Sequence, residues 1–259
     1  MLMNKQRDGE LVVTDDNPYA PPKAEVSDIA AQVPGSGSLS VGIAGRYEFS
    51  ILDVVAEGWR RTRGFKGAFW GAMAGLGSVV IGLSVLFGVL GLYGAAIGPW
   101  FQWLPDLLFS SLLYPFVTGV LMMGVYHVVG LPIRAGLVFG FLGESGRVLV
   151  VALLTTLLTD LGFLLLILPG IYLTVAWSLS IPLLVDKRLG PWQAMEASRK
   201  AITRHWFKVA GLYLVMLGVL IAGLLSVVGL IWALPMVTLM FGILYRTIFG
   251  VEGLHGGVR

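Results

Sequence analysis

The stretch from Val209 to Gly250, VAGLYLVMLGVLIAGLLSVVGLIWALPMVTLMFGILYRTIFG, carries a single charged side chain, Arg246. Gly229 divides it into two apolar runs of about 20 residues, each long enough to cross a hydrocarbon layer of about 30 Å as a helix. The whole chain follows the same pattern. Its 259 residues are 56% hydrophobic and 13% charged, with a mean hydropathy of +0.83. A soluble domain carries about 25% charged residues, so a soluble globular fold is excluded. The absence of cysteine rules out disulfides, thiolate metal sites and a cysteine nucleophile.

Working outward from that pair, further apolar segments cover 68–92, 108–130, 149–168 and 170–186, giving six spans with 208–228 and 230–250. Pro169-Gly170 and Gly229 mark uncharged turns inside two tight pairs. The short 170–186 segment is the least certain to cross fully. Fold class is therefore an all-α integral membrane helical bundle, with about six transmembrane helices arranged as three hairpins.

The cations set the orientation, because cytoplasmic segments keep an excess of Lys and Arg. All 18 fall on one side: before the first span, between the second and third, between the fourth and fifth with Lys208 opening the fifth, or at the chain's end, with Arg246 toward the end of the sixth span and Arg259 after it. The opposite connection over 93–107, with Pro99, Trp100, Trp103 and Asp106, has none. Both termini are expected in the cytoplasm. Residues 1–45, with Pro18, Pro21, Pro22 and a Gly-Ser run, read as a disordered polar cytoplasmic tail, uncleaved because no apolar signal core is visible. Residues 251–259 read as a second cytoplasmic tail. The net charge of +3 then reports topology and anionic headgroups, and no nucleic-acid partner is expected.

Two segments read as amphipathic interfacial helices on the cytoplasmic face, over about 50–64 and 191–206. In the first, Ser50 and Asp53 fit a capping box. Ile51, Leu52, Val55 and Trp59 share one face, and Asp53, Glu57, Arg60 and Arg61 the other. Glu57 precedes Arg61 by four residues, the favourable order for an ion pair. In the second, Pro191 suits the first turn, and Met195, Ser198, Ile202 and Trp206 form one stripe. Such helices lie in the interface plane with their cations toward phosphates. Candidate headgroup contacts are Trp59, Arg60, Arg61, Arg63, Trp192, Arg199, Lys200, Arg204, His205, Trp206 and Lys208. A third candidate, 132–147, is only weakly amphipathic, and its glycines also suit tight packing against a neighbour.

Pro115 to Gly130 aligns without gaps on Pro235 to Gly250, sharing the proline, a Val-Thr pair and the final glycine. Pro169 onward gives a looser third copy. The plan is three units, each an interfacial helix followed by a hairpin. Gly71 and Gly75 form a GxxxG pair, read first as packing within the bundle and second as a dimer face.

The run from Leu168 to Lys187, followed by Gly190-Pro-Trp-Gln-Ala-Met-Glu-Ala-Ser-Arg-Lys200 and His205-Trp206, resembles a broad group of bacterial polytopic inner-membrane proteins of unknown function. That group is related to the membrane domain attached to some glycerophosphoryl diester phosphodiesterases. Pro169, Gly170, Pro182, Asp186 or Lys187, Ala194, Ser198 and Arg199 carry the likeness, which extends over about 45–250. It implies a bacterial inner-membrane location. It brings no catalytic residue, since the chemistry of those relatives resides in a separate soluble barrel.

Asp160, well inside the third span, is the most unusual residue. An intramembrane carboxylate costs about 2.5–3.5 kcal/mol on insertion scales, so it faces the bundle or water or carries a proton. It reads as a cation or proton site, or as a structural hydrogen bonder to Thr155, Thr156 or Thr159. His127 is a second candidate polar site, near the cytoplasmic end of its span, where it and Arg246 can snorkel to headgroups. His205 is expected on lipid phosphate and His255 in solvent. Gly143-Glu-Ser-Gly146 resembles the serine loop of intramembrane rhomboid proteases, without a companion motif to place a base. No metal or cofactor is expected, nor an enzyme. The expected function is a noncatalytic protein organising membrane lipids, through their anionic headgroups, or partner proteins, a second copy of the chain among them. The alternative is a small transporter or lipid-translocating protein, and an intramembrane enzyme stands third.

Overall fold

A computed structural model describes residues 36–94, 98 and 103–252. The expected tail through residue 35, His255 with the rest of 253–259, and most of the connection at 95–102 lie outside them. All regular elements among the described residues are helical. They are α1 (Leu39–Ile43), α2 (Ile51–Arg61), α3 (Lys66–Gly94), α4 (Trp103–Val128), α5 (Ser145–Leu165), α6 (Ile167–Ala176), α7 (Ser180–Asp186), α8 (Pro191–Thr203), α9 (Trp206–Leu225) and α10 (Leu230–Phe249). Six stretches are long and apolar enough to cross a membrane, the fourth being α6 and α7 together. The protein is a multi-pass membrane protein built as an all-α bundle. Its exterior agrees: Leu164 to Leu168, at the turn between α5 and α6, are 68–82% exposed, and α3 and α9 leave most of their apolar side chains uncovered. In water that surface would be an aggregation face; in a bilayer it is the lipid contact.

The core is built on α4 and α10, the two copies of the sequence repeat. Thr118 and Thr238 occupy the same repeat column, and each hydroxyl donates to the carbonyl one turn back, on Tyr114 at 2.7 Å and Leu234 at 3.0 Å. A Cβ on Gly124 would stand 2.5 Å from the Thr238 carbonyl oxygen, and one on Gly242 2.6 Å from the Gly124 carbonyl carbon. Only glycine at both positions lets the backbones approach so closely. The Gly71/Gly75 pair also serves inside the molecule, facing Ala135 and Val138.

Two expectations are overturned, those for 36–45 and α8, and two are sharpened, those for 132–147 and α2. The segment 132–147 forms two short 3-10 turns, Ala135–Phe139 and Leu142–Glu144, with Val138 and Phe141 buried, so it is tightly packed rather than a third amphipathic helix. Residues 36–45 are ordered: α1 packs on α10, and the Gly37 N–H donates to the Arg246 carbonyl at 3.0 Å. Helix α2 begins at its Ser50 cap as expected, the hydroxyl accepting the Asp53 N–H. However, it turns Val54 and Gly58 inward against α10 and leaves Leu52 and Trp59 exposed. Helix α8 buries Ala194, Met195, Ala197, Ser198, Ala201 and Ile202, all within 5% exposure, against protein rather than lipid.

The fourth span is broken, and proline explains where. Pro182 has no N–H for the carbonyl of Ser178 and its ring crowds that oxygen. The chain turns over 177–179 between α6 and α7. Ala176 loses its intrahelical donor as well, and the fully buried Ser198 hydroxyl of α8 replaces it at 2.7 Å. Farther along, Tyr172 and Thr203 share a 2.7 Å hydrogen bond, so α8 is tied along the broken span from its middle to its end.

Candidate functional site

Two arrangements bring sequence-predicted residues together: a basic recess beside α8 and a polar cavity at the broken span. The recess lies between α1 and α8, has a volume of about 510 Å³, and is lined by Arg199, Lys200 and Arg204 with the hydroxyl residues Ser40 and Thr203. Glu196 accepts from Arg199 through both oxygens at 2.7 and 2.8 Å and meets Lys200 at 3.4 Å. The hydrogen bonds from Arg199, reinforced by the charges of Arg199 and Lys200, hold the Glu196 carboxyl down at about 2. One carboxylate among three cations leaves the recess net positive. Arg204 is exposed, and no carboxylate among the described residues pairs with it.

The other predicted headgroup residues separate into two groups. Trp59, Arg60, Arg63 and Trp192 are exposed, and Lys208 is exposed above the Phe49 ring at 5.1 Å. Arg61, His127, His205 and Trp206 are held by the protein. The His205 ring donates through Nε2 to the Gly45 carbonyl oxygen at 2.9 Å and stacks edge-on to Tyr47, a correction of its expected place on phosphate. The Trp206 indole donates to the Tyr172 carbonyl at 3.4 Å. His127 donates through Nε2 to the Arg61 carbonyl at 3.1 Å beside Phe65, so it joins α2 to α4 instead of reaching headgroups.

Arg246 is likewise structural. Its guanidinium grips Glu57 with two hydrogen bonds of 2.8 and 3.0 Å, and Arg61 adds a third at 2.6 Å. Burial raises the Glu57 carboxyl, but the Arg246 hydrogen bonds and charge, with those of Arg61, outweigh it and leave Glu57 below its usual range. Asp186 is fully buried and saturated: Tyr245 donates at 2.8 Å, Lys187 stands at 3.3 Å and the Glu252 N–H at 3.3 Å.

The cavity, of about 330 Å³, lies among α4, α5 and the break between α6 and α7. Asp160, Thr155, Thr156 and Thr159 form its α5 wall, and Tyr114 and Thr118 face them from α4. Thr174, Trp177 and Ser178 line the break. Asp160 is exposed and has neither a hydrogen bond nor an ion pair with any described residue. The threonines do not satisfy it: the Thr155 hydroxyl donates to the Val151 and Ala152 carbonyls at 2.8 and 3.0 Å. No donor among the described residues reaches the Ser178 carbonyl that Pro182 frees. Ser145 starts α5, while the two described histidines are engaged at Arg61 and Gly45.

Sequence reading found the α5 wall and missed the rest. Tyr114, Val117, Thr118 and Leu121 follow the i, i+3, i+4, i+7 spacing of one helix face, a signal readable in the chain but masked there by its uniform hydrophobicity.

Compared with family models, curated proteins and solved structures, the chain finds no match in any of the three.

Proposed function

We propose that the protein is a noncatalytic organiser of the bacterial inner membrane that holds anionic lipid headgroups in the recess between α1 and α8. The observation that carries this reading is the convergence of Arg199, Lys200 and Arg204 with Ser40 and Thr203 around one opening. Cations supply attraction and the Ser40 hydroxyl supplies a donor, the combination that suits a phosphate, while Thr203 spends its proton on the Arg199 carbonyl at 2.6 Å. Both termini face the cytoplasm in this reading, which places the recess at the leaflet where anionic lipids concentrate. The likeness to bacterial polytopic membrane proteins supports the same location.

Each cation near an anionic surface contributes about 1 kcal/mol, or roughly fivefold in affinity. Retention of phosphatidylglycerol against phosphatidylcholine, measured by native mass spectrometry of the intact protein, is expected to fall more than tenfold in Lys200→Gln/Arg204→Gln. Retention that survives both substitutions removes the reading. A second reading, a small transporter, is favoured by one observation, the cavity at the break in the fourth span.

A further inference from the structure

We propose that the cavity among α4, α5 and the α6–α7 break binds a small organic cation, a protonated amine with an apolar body, whose ammonium sits on Asp160. This inference is independent of headgroup binding in the basic recess, which involves other residues and the opposite charge.

Four of the seven hydroxyls around the cavity are turned so that oxygen lone pairs remain on offer. Thr118 donates its proton to Tyr114 O at 2.7 Å, Thr155 to Val151 O at 2.8 Å, Thr174 to Gly170 O at 2.8 Å and Ser178 to Val175 O at 2.8 Å. A hydroxyl has one proton to give, so toward the cavity these four act as acceptors. The Ser178 carbonyl, deprived of a donor by Pro182, adds another acceptor, and the Asp160 carboxylate adds a charge. Behind Ser178, the buried Tyr213 hydroxyl of α9 approaches without closing a hydrogen bond. A site that offers acceptors and a negative charge is complementary to a cationic donor.

Size and lining narrow the class. A bare divalent metal ion draws its oxygens in to about 2.0–2.6 Å, whereas small-molecule sites begin at about 300 Å³. The cavity, at about 330 Å³, matches the latter. Val117, Leu121, Leu173 and Ile181 supply an apolar wall, and Tyr114 and Trp177 supply aromatic rings that attract cations. The ammonium can come from a free amine or from a phosphatidylethanolamine headgroup.

The test uses tritiated phenethylamine and the full-length protein in nanodiscs of phosphatidylcholine and phosphatidylglycerol at pH 7. Expected is saturable binding, displaced by unlabelled phenethylamine and not by its neutral counterpart 2-phenylethanol. Asp160→Asn weakens it at least tenfold, while Asp160→Glu retains most of it. Leu173→Trp, which fills the cavity without altering the carboxylate, abolishes it and keeps the question decidable if Asp160→Asn fails to fold. Absence of saturable binding, equal competition by phenylethanol, or undiminished binding to folded Asp160→Asn or Leu173→Trp overturns the proposal. Repeating the measurement with phosphatidylethanolamine in the discs separates the sources, and both results support ammonium recognition: competition identifies the lipid headgroup, and unchanged binding identifies a free amine.

Discussion

Pro235 and Pro182 do the same thing to a helix and end differently. Pro235 frees the Ile231 carbonyl, yet α10 runs unbroken, and the Trp70 indole of α3 donates to that oxygen at 3.3 Å. Pro182 frees the Ser178 carbonyl, the span breaks, and the oxygen is left beside a cavity without a donor. The carboxylates repeat the contrast: Asp186 has three partners among described groups and Asp160 has none. Where α2, α4 and α10 meet, the Glu57 carboxylate, the His127 imidazole and the terminal guanidinium nitrogens of Arg246 are closed on protein partners, with Arg246 Nε alone unpaired among the described residues, and they hold the bundle together. At the broken span they remain open, and openness, rather than polarity, marks the candidate site.

The largest expected effect comes from opening the closed region. Glu57→Ala strands the buried Arg246 guanidinium, and breaking such a pair costs about 3–5 kcal/mol. Unfolding in mixed micelles would show it as a large fall in stability. The same pair gives an acid limit. Because the folded Glu57 carboxyl sits below its unfolded value, its stabilisation is complete above the usual glutamate range and disappears as pH falls through the folded value. Acid-induced loosening that is blunted in Glu57→Gln identifies it.

Ser198→Ala comes next. It removes the only donor among the described residues to the Ala176 carbonyl, and an orphaned buried acceptor costs about 1–3 kcal/mol. Trp70→Phe leaves the Ile231 carbonyl in the state of Ser178 O and should cost about 1 kcal/mol. Thermal melting of the purified variants checks both. If Trp70→Phe melts with the wild type, a proline-freed carbonyl is harmless wherever it lies, and the contrast between the two prolines loses its meaning.

These assignments show what could be read from the chain. Span number and hairpin pairing follow from run length, which needs no tertiary information. The Pro115/Pro235 repeat was legible as an alignment, but its consequence, two glycines meeting at the α4–α10 crossing, depends on which helices become neighbours. For α8, the stripe of Met195, Ser198 and Ile202 was legible while its partner was not, since an apolar face fits lipid and protein equally well. His205 was misplaced for the same reason: a histidine among cations suits phosphate, and only the fold brings Gly45 O to its ring. Asp160 was legible because a charge in an apolar run stands out. Its surroundings were not, because threonines that back-bond to their own helix look like any other small residue.

Tyr47 provides the smallest effect at neutral pH and the cleanest separation by pH. Its hydroxyl donates to the Ala201 carbonyl at 3.1 Å in a buried site, and burial raises it to about 12. Folding therefore favours the protonated phenol. The stabilisation is present in full below the ordinary tyrosine value of about 10 and is lost as pH rises toward the folded value. Tyr47→Phe should cost about 1 kcal/mol at pH 7, the worth of one hydrogen bond. Between pH 10 and about 12 the wild type should lose its advantage over the variant, which has no proton to release there. Parallel stability curves for the two proteins across that window would mean that the ring is held by packing with Phe49 and His205 alone, and the corner joining α1 to α8 would then belong with the open region rather than the closed one.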